Sequence, residues 1–224
     1  MRNIVEFKEL MQHEIPECPI VLTSEGYKLD GQHGIKSALR ILDRNGGTPK
    51  SCDYLQPYKD TLLLVEFSDL AAQHKRCGVT LKATLKALDL TAISRSERNR
   101  VANRLGAEGE IKNELKAKIH DTDFILREVL SKQVLEGLPD LTACRFHIFI
   151  VWHPSDEPLE EYDTERLLDS LRLKLTAEVS RCPLGYLMDA PVHFLTVEAY
   201  EARYGVSAVG SNPQTDTPAT AADH

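Results

Sequence analysis

The chain has 224 residues, of which 42% are hydrophobic, and a formal net charge of −7. This length suffices for one globular domain with a buried core, and no apolar run approaches the roughly 20 residues of a membrane span. The N-terminus lacks the apolar segment of a signal peptide, and the five scattered cysteines contain no Cys-x-x-Cys pair, which excludes a disulfide framework and a zinc knuckle. We therefore expect a cytoplasmic globular protein that does not act at a membrane.

The first third of the chain predicts strands and one helix. A short strand over 19–23 precedes turns at Glu25-Gly26 and Asp30-Gly31, and apolar residues at helical spacing predict a helix over about 32–44. Two strands follow at about 51–56 and 61–67, joined by a turn over 57–60. The second is apolar at consecutive positions, which is typical of a strand covered on both faces.

The remaining chain predicts helices alternating with strands. A helical middle region includes a capping box at Ser94–Glu97, and a long helix over 108–135 carries an apolar stripe and an ion pair between Glu114 and Lys118. Further elements are a strand over 145–152, a helix carrying Leu168, Leu171, Leu175 and Val179, a strand over 192–197 and a helix over 198–204. We expect a single α/β domain over 1–204 and a disordered tail over 205–224.

Two acids stand out in the predicted strand pair. Asp53 lies at the start of the first strand, and Glu66 follows four apolar residues in the second. Neighbouring strands lie about 4.8 Å apart, so both carboxylates can reach one divalent cation, and Mg²⁺ or Mn²⁺ is the expected ion. The alternative is that Glu66 sits at an exposed strand end and pairs with a lysine or arginine.

The order of elements from residue 32 to 152 resembles the core of the PD-(D/E)XK nuclease superfamily. That core consists of a helix, a hairpin with two acidic positions, a second helix and a further strand. The resemblance implies an α/β fold with a central mixed sheet flanked by helices, a restriction-endonuclease-like core with a helical insertion, and a C-terminal α/β extension over 153–204. It makes Asp53 and Glu66 the metal ligands.

The third catalytic position of that family falls on Ser68, where the family has a lysine that orients or activates the attacking water. The family also moves this lysine to nearby elements. Lys59, Lys75 and Lys112 are the candidates for a displaced lysine, and the sequence does not choose among them.

Charge is unevenly distributed along the chain. Residues 73–119 contain eleven basic side chains and five acidic ones, although the whole protein is acidic. A local basic zone of this kind binds a phosphate backbone, whereas the alternative is a solvated helix face. The candidate nucleic-acid-binding residues are Lys75, Arg76, Arg95, Arg98, Arg100, Arg104 and Lys112.

Two functions are consistent with these observations. The first is a metal-dependent nuclease that cleaves DNA or RNA, with phage defence or DNA repair as its setting. The second is a catalytically inactive nuclease-like fold that serves as a protein- or nucleic-acid-binding subunit of a complex, with Ser68 marking the loss of catalysis. The sequence alone leaves both the activity and the oligomeric state open.

Overall fold

The protein forms a six-stranded mixed β-sheet with helices packed on both faces, as a computed structural model of the chain shows. The structure describes residues 2–13, 20–43, 46–87, 94–97, 100, 106–128, 130–132, 135–153, 161–181 and 185–205. The prediction of an α/β protein with a central mixed sheet is confirmed. The predicted tail beyond residue 205 lies outside the described residues.

The elements are numbered in chain order within the described residues. The strands are β1 (Arg2–Asn3), β2 (Lys8–His13), β3 (Ile20–Lys28), β4 (Tyr54–Tyr58), β5 (Thr61–Ser68), β6 (Leu135–Glu136), β7 (Arg145–Trp152) and β8 (Val192–Thr196). The α-helices are α1 (Ile35–Ala38), α2 (Leu70–Ala87), α3 (Ala107–Glu128), α4 (Glu161–Arg181) and α5 (Val197–Tyr204). No helix in these ranges has both the length and the apolar character needed to cross a membrane.

The main sheet changes from antiparallel to parallel at its centre. Its strand order is β2-β3-β4-β5-β7-β8, and the first three neighbouring pairs are antiparallel. The pairs β5–β7 and β7–β8 are parallel, so the chain crosses over one face of the sheet through α2 and α3 before it returns in β7. A separate parallel pair joins β1 to β6.

The two faces of the sheet bury two apolar clusters. One face packs Leu62, Leu64, Ile148 and Ile150 against α3 and α4, whose predicted stripes are buried at Ile111, Leu115, Ile119, Leu171, Leu175 and Val179. The other face packs Leu63, Val65 and Phe149 against Met11 and α5. Residues 62–68 of β5 are all buried, which confirms a strand covered on both faces.

Several predicted boundaries are wrong for identifiable physical reasons. The turn at Glu25-Gly26 lies inside β3, where Gly26 pairs with Glu9 and a Cβ would come within 2.9 Å of Met11 Sδ. The helix over 32–44 shortens to α1 because Arg40 adopts a left-handed φ of 53°, which ends it.

Farther along the chain, the long helix ends at Glu128 rather than 135, since Leu135–Glu136 instead pairs with the N-terminus. The capping box is confirmed by hydrogen bonds from Glu97 N to Ser94 Oγ at 3.2 Å and from Ser94 N to Glu97 Oε2 at 3.0 Å.

Candidate functional site

Asp53 is held beside Glu66 by three hydrogen bonds to two neighbouring chain segments. Its carboxylate oxygen Oδ2 accepts from the amide of Phe67 at 2.8 Å, directly after Glu66. Its own amide donates to the Val65 carbonyl at 3.0 Å, and its carbonyl accepts from the amide of Leu29 at 2.7 Å. The backbone of Asp53 is therefore held between β5 and the residue that follows β3, and its carboxylate is directed by the Phe67 amide of β5.

The cation of the site is Lys118, which the sequence did not single out. Lys118 lies on α3, and its ammonium contacts Glu66 Oε1 instead of the predicted partner Glu114. The Glu66 side chain is 3% exposed and that of Lys118 is 19% exposed. Of the alternative interpretation of Glu66, the exposed strand end is therefore wrong, whereas the pairing with a lysine is present.

Helix α3 is fastened to the segment that leads into Asp53. The amide of Lys50 donates to Asp121 Oδ2 at 2.8 Å, and the amide of Cys52 donates to Thr122 Oγ1 at 2.9 Å. Asp121 and Thr122 lie three and four residues after Lys118 and so share its side of the helix. The same helix face thus positions the lysine and the strand that carries the first acid.

Burial and mutual charge set the protonation of this cluster. Burial raises the pKa of Glu66, and the neighbouring Asp53 charge raises it further, against the opposing effect of Lys118. Burial alone would lower the pKa of Lys118, but the charges of Glu66 and Asp53 outweigh it and raise that pKa. Lys118 is therefore a cation at neutral pH, which suits it to donate hydrogen bonds rather than to accept a proton.

A cavity of about 410 Å³ opens at the end of β5 and exposes part of this cluster. Its volume lies within the range of small-ligand sites, roughly 300–1,000 Å³. Asp53 and Lys118 line it, whereas Glu66 is buried rather than exposed to it. The full lining comprises Gln12, His13, Lys28, Asp30, Gly31, Asp53, Tyr54, Phe67, Asp69 and Lys118.

Ser68 and the three candidate lysines do not complete the site. Ser68 is 2% exposed, and its hydroxyl donates to Gln73 Oε1 at 3.3 Å. Lys59 lies in the β4–β5 turn above the ring of Tyr58, Lys75 is exposed on α2, and Lys112 is half-buried on α3. None of these four lines the cavity, and Lys118 is the lysine that does so beside both acids.

The predicted nucleic-acid-binding residues are dispersed over the helical region. Lys75 and Arg76 are exposed on α2, Arg95 and Arg100 are exposed farther along, and Lys112 is half-buried. Arg98 and Arg104 lie outside the described residues. The exposed residues have the solvent access that a phosphate contact requires. Their role in binding nucleic acid stays a prediction.

The donor set at the cavity fits a hard divalent cation. Mg²⁺ is commonly held by one or two carboxylates, with water and substrate phosphate completing its octahedron. Asp53 lines the cavity, whereas Glu66 Oε2 is buried, does not line it and has no hydrogen-bond partner among the described residues. These two acids are the candidate ligands. In the described part of the chain, no cluster of three or more histidine, cysteine or acidic side chains forms a complete protein-only metal site.

Comparison with known proteins gives no relative from which a function is transferred. No family model matches the chain, and neither a curated protein nor a solved structure matches it significantly.

Proposed function

We propose that this protein is a metal-dependent nuclease with a restriction-endonuclease-like core of the PD-(D/E)XK type. The observation that carries the proposal is the contact between the Lys118 ammonium and Glu66, beside Asp53 and at the wall of a cavity. Two acids and a lysine are the group that such a site needs, and the lysine here comes from a helix instead of position 68.

The topology supports the same proposal. Strands β3, β4 and β5 form an antiparallel series with both acids at the β4–β5 pair, and the chain then crosses through helices to the parallel strand β7. The crossover brings α3 over the sheet face of Glu66, as the contact with Lys118 shows. A hairpin with two acids, a helix and a parallel strand are the parts of the nuclease core.

Each side chain has a role that follows from its protonation and position. Asp53 and Glu66 would hold Mg²⁺ or Mn²⁺, which when bound neutralises phosphate charge and lowers the pKa of water. Lys118, kept cationic by its two acidic neighbours, donates hydrogen bonds at the cavity wall. It orients a water or stabilises charge that develops on the phosphate, and it does not act as the base.

The test is cleavage of plasmid DNA, single-stranded DNA and RNA by the purified protein with Mg²⁺ or Mn²⁺. We expect Asp53→Ala and Glu66→Gln to abolish cleavage, and Lys118→Met to slow it by roughly 10²-fold or more. Lys116→Met is the matched control, because Lys116 lies on the same helix and pairs with Glu178 of α4. Unchanged cleavage in Lys118→Met, or none in the folded wild type with either metal, contradicts the proposal.

A second candidate is an inactive nuclease-like fold that binds a protein or nucleic acid. The burial of Glu66 favours it, because an acid that is 3% exposed and already paired with Lys118 also has a purely structural use. This candidate predicts no turnover with any metal, and it predicts that Asp53→Ala leaves partner binding intact. Metal-dependent cleavage that is lost in Asp53→Ala rules it out.

A further inference from the structure

His13 is a buried histidine at the cavity wall whose ring nitrogens make no hydrogen bond to any described residue. It ends β2, is 1% exposed, and lines the same cavity as Asp53 and Lys118. Within the described residues, neither Nδ1 nor Nε2 has a hydrogen-bond partner. The Ser68 carbonyl lies close enough to favour the protonated ring, but the contact falls short of hydrogen-bond geometry.

Aromatic packing fixes the direction of the His13 ring. The ring meets Phe67 edge to face with a centroid distance of 5.5 Å, and Phe67 in turn meets Tyr54 at 5.9 Å. All three side chains line the cavity, and Phe67 is also the residue whose amide holds the Asp53 carboxylate. Phe67 thus contacts both the His13 ring and the Asp53 carboxylate, and these three residues line one cavity.

Burial favours the neutral form of the His13 ring. Burial lowers the pKa of His13, and the nearby His153 lowers it further, whereas the Ser68 carbonyl and Asp69 act in the opposite direction. A neutral imidazole has one N–H donor and one acceptor nitrogen. A buried polar group without a partner is destabilising, and such groups are uncommon in folded proteins. A ligand with acceptor oxygens would satisfy the donor.

The charges around the cavity indicate the ligand class. Lys28 and Lys118 face Asp30, Asp53 and Asp69, so the described lining carries one more acid than base. Asp30 is engaged by the buried Lys36 at 2.5 Å, and Lys28 by Glu9 at 2.9 Å. Glu66 adds one further carboxylate, so a divalent cation at Asp53 and Glu66 would bring this sum to zero. Its remaining coordination positions would take oxygen ligands, such as those of a phosphate.

We propose that His13 donates a hydrogen bond from its ring to a phosphate oxygen of the nucleic-acid strand bound in this cavity. The inference rests on the proposed nuclease function, since it takes the strand and the metal from it. His13 would contribute to substrate binding through a neutral hydrogen-bond donor that packs among aromatic side chains. Asp53, Glu66 and Lys118 would contribute through charge.

The test uses the wild-type protein with Ca²⁺, which permits binding without turnover, and two probes: thymidine 3′,5′-bisphosphate and a 12-nucleotide single strand. The ring signals of His13 are followed by ¹H–¹⁵N NMR and assigned by their loss in His13→Gln. We expect saturable shifts of these signals. We also expect His13→Phe to weaken probe binding by roughly 10- to 100-fold, the value of a lost hydrogen bond to a charged group, while His13→Gln retains a donor and binds more tightly than His13→Phe.

Each outcome decides the inference. A stationary His13 ring during saturable probe binding overturns it, and so does a wild-type protein that binds neither probe. The shift of the ring needs no variant, so a poorly folded His13→Phe leaves the test intact. Cleavage by the wild type with a stationary ring would keep the nuclease and reject the role of His13. A moving ring without cleavage would reject the nuclease and keep the phosphate contact.

Discussion

The ion pair of Glu66 and Lys118 joins two side chains that differ in burial. Glu66 is 2% exposed, and in the described part of the chain Lys118 is the one hydrogen-bond donor to its side chain. Lys118 reaches the cavity and also interacts with the charge of Asp53. Removing one member of a buried ion pair typically destabilises a protein by about 3–5 kcal/mol, because the other charge is left uncompensated. Removing Lys118 should therefore reduce the free energy of unfolding more than removing the charge of Glu66 does.

We expect Lys118→Met to lower the free energy of unfolding by about 3 kcal/mol and Glu66→Gln to lower it by less. The double variant should recover much of the loss, since it buries no unpaired charge. Urea unfolding of the two single variants and the double variant measures this coupling. Additive losses in the double variant would show that the two side chains do not stabilise each other.

At the residue scale, the two acids were predictable and the lysine was not. Asp53 and Glu66 follow from the apolar character of two strands that are close in sequence, which fixes their pairing. Lys118 is 52 residues from Glu66, and its local neighbours predicted a pair with Glu114. Only the docking of α3 decides which acid it meets. A signal for it lies in the adjacent buried stripe of Ile111, Leu115 and Ile119, whose side of the helix faces the sheet.

Helix α3 organises the fold on two sides through its polar residues. Toward the cavity, Asp121 and Thr122 hold the segment before Asp53. The next residue, Asp123, is 0% exposed and contacts a different part of the chain. Its carboxylate accepts hydrogen bonds from Arg127 Nε at 2.8 Å, from the Gly185 amide at 2.8 Å and from the Leu187 amide at 3.0 Å. One carboxylate thereby ties α3 to the chain that leads into β8.

We expect Asp123→Asn to destabilise the fold by about 2–3 kcal/mol, because an amide cannot accept three hydrogen bonds at these positions without presenting its own donor to them. Asp123 is not part of the cavity lining, so the activity per folded molecule should stay at the wild-type level. Thermal unfolding and cleavage at a temperature well below the transition measure the two effects. Wild-type stability in this variant would contradict the anchoring role.

The element boundaries show where sequence patterns fail in this chain. The hydrophobicity of β5 and β7 predicted both strands closely, since buried strands carry their signal in their own residues. Strand β2 was missed because Lys8–His13 has little strand character, and its pairing with β3 determines its structure. Gly26 suggested a turn for the same reason: the close approach of Met11, which requires a residue without a Cβ, is a tertiary contact.

Over the whole molecule, three strand histidines are kept neutral by the fold. Burial lowers the pKa of His13, His147 and His193 from the usual 6.5. His147 and His193 lie on neighbouring strands with ring nitrogens 3.2 Å apart, and Arg203 adds to the lowering at both. A histidine with a lowered folded pKa contributes stability above the unfolded pKa, and this contribution is lost as the pH falls below it.

We therefore expect these histidines to favour a higher urea midpoint at pH 7.5 than at pH 5.5, because their unfolded forms bind more protons below pH 6.5. Glu66, whose pKa burial raises, acts in the opposite direction, so the histidine contribution is measured by comparing variants with the wild type. His147→Gln and His193→Gln should each reduce this difference. His33→Gln is the matched control, since His33 is exposed near α1. An unchanged pH difference in both histidine variants, or an equal effect of the control, would contradict the prediction.

The change from antiparallel to parallel pairing at β5 sets an order of assembly. The hairpin of β4 and β5 closes over a two-residue turn, whereas Lys118 reaches Glu66 only after the crossover through α2 and α3 is complete. During synthesis, a nascent chain that ends before residue 118 already contains both acids and lacks their cation. Local hairpins form far faster than contacts that close long loops. Both carboxylates are thus synthesised before Lys118, and premature termination before residue 118 would yield a hairpin in which Glu66 lacks its cation.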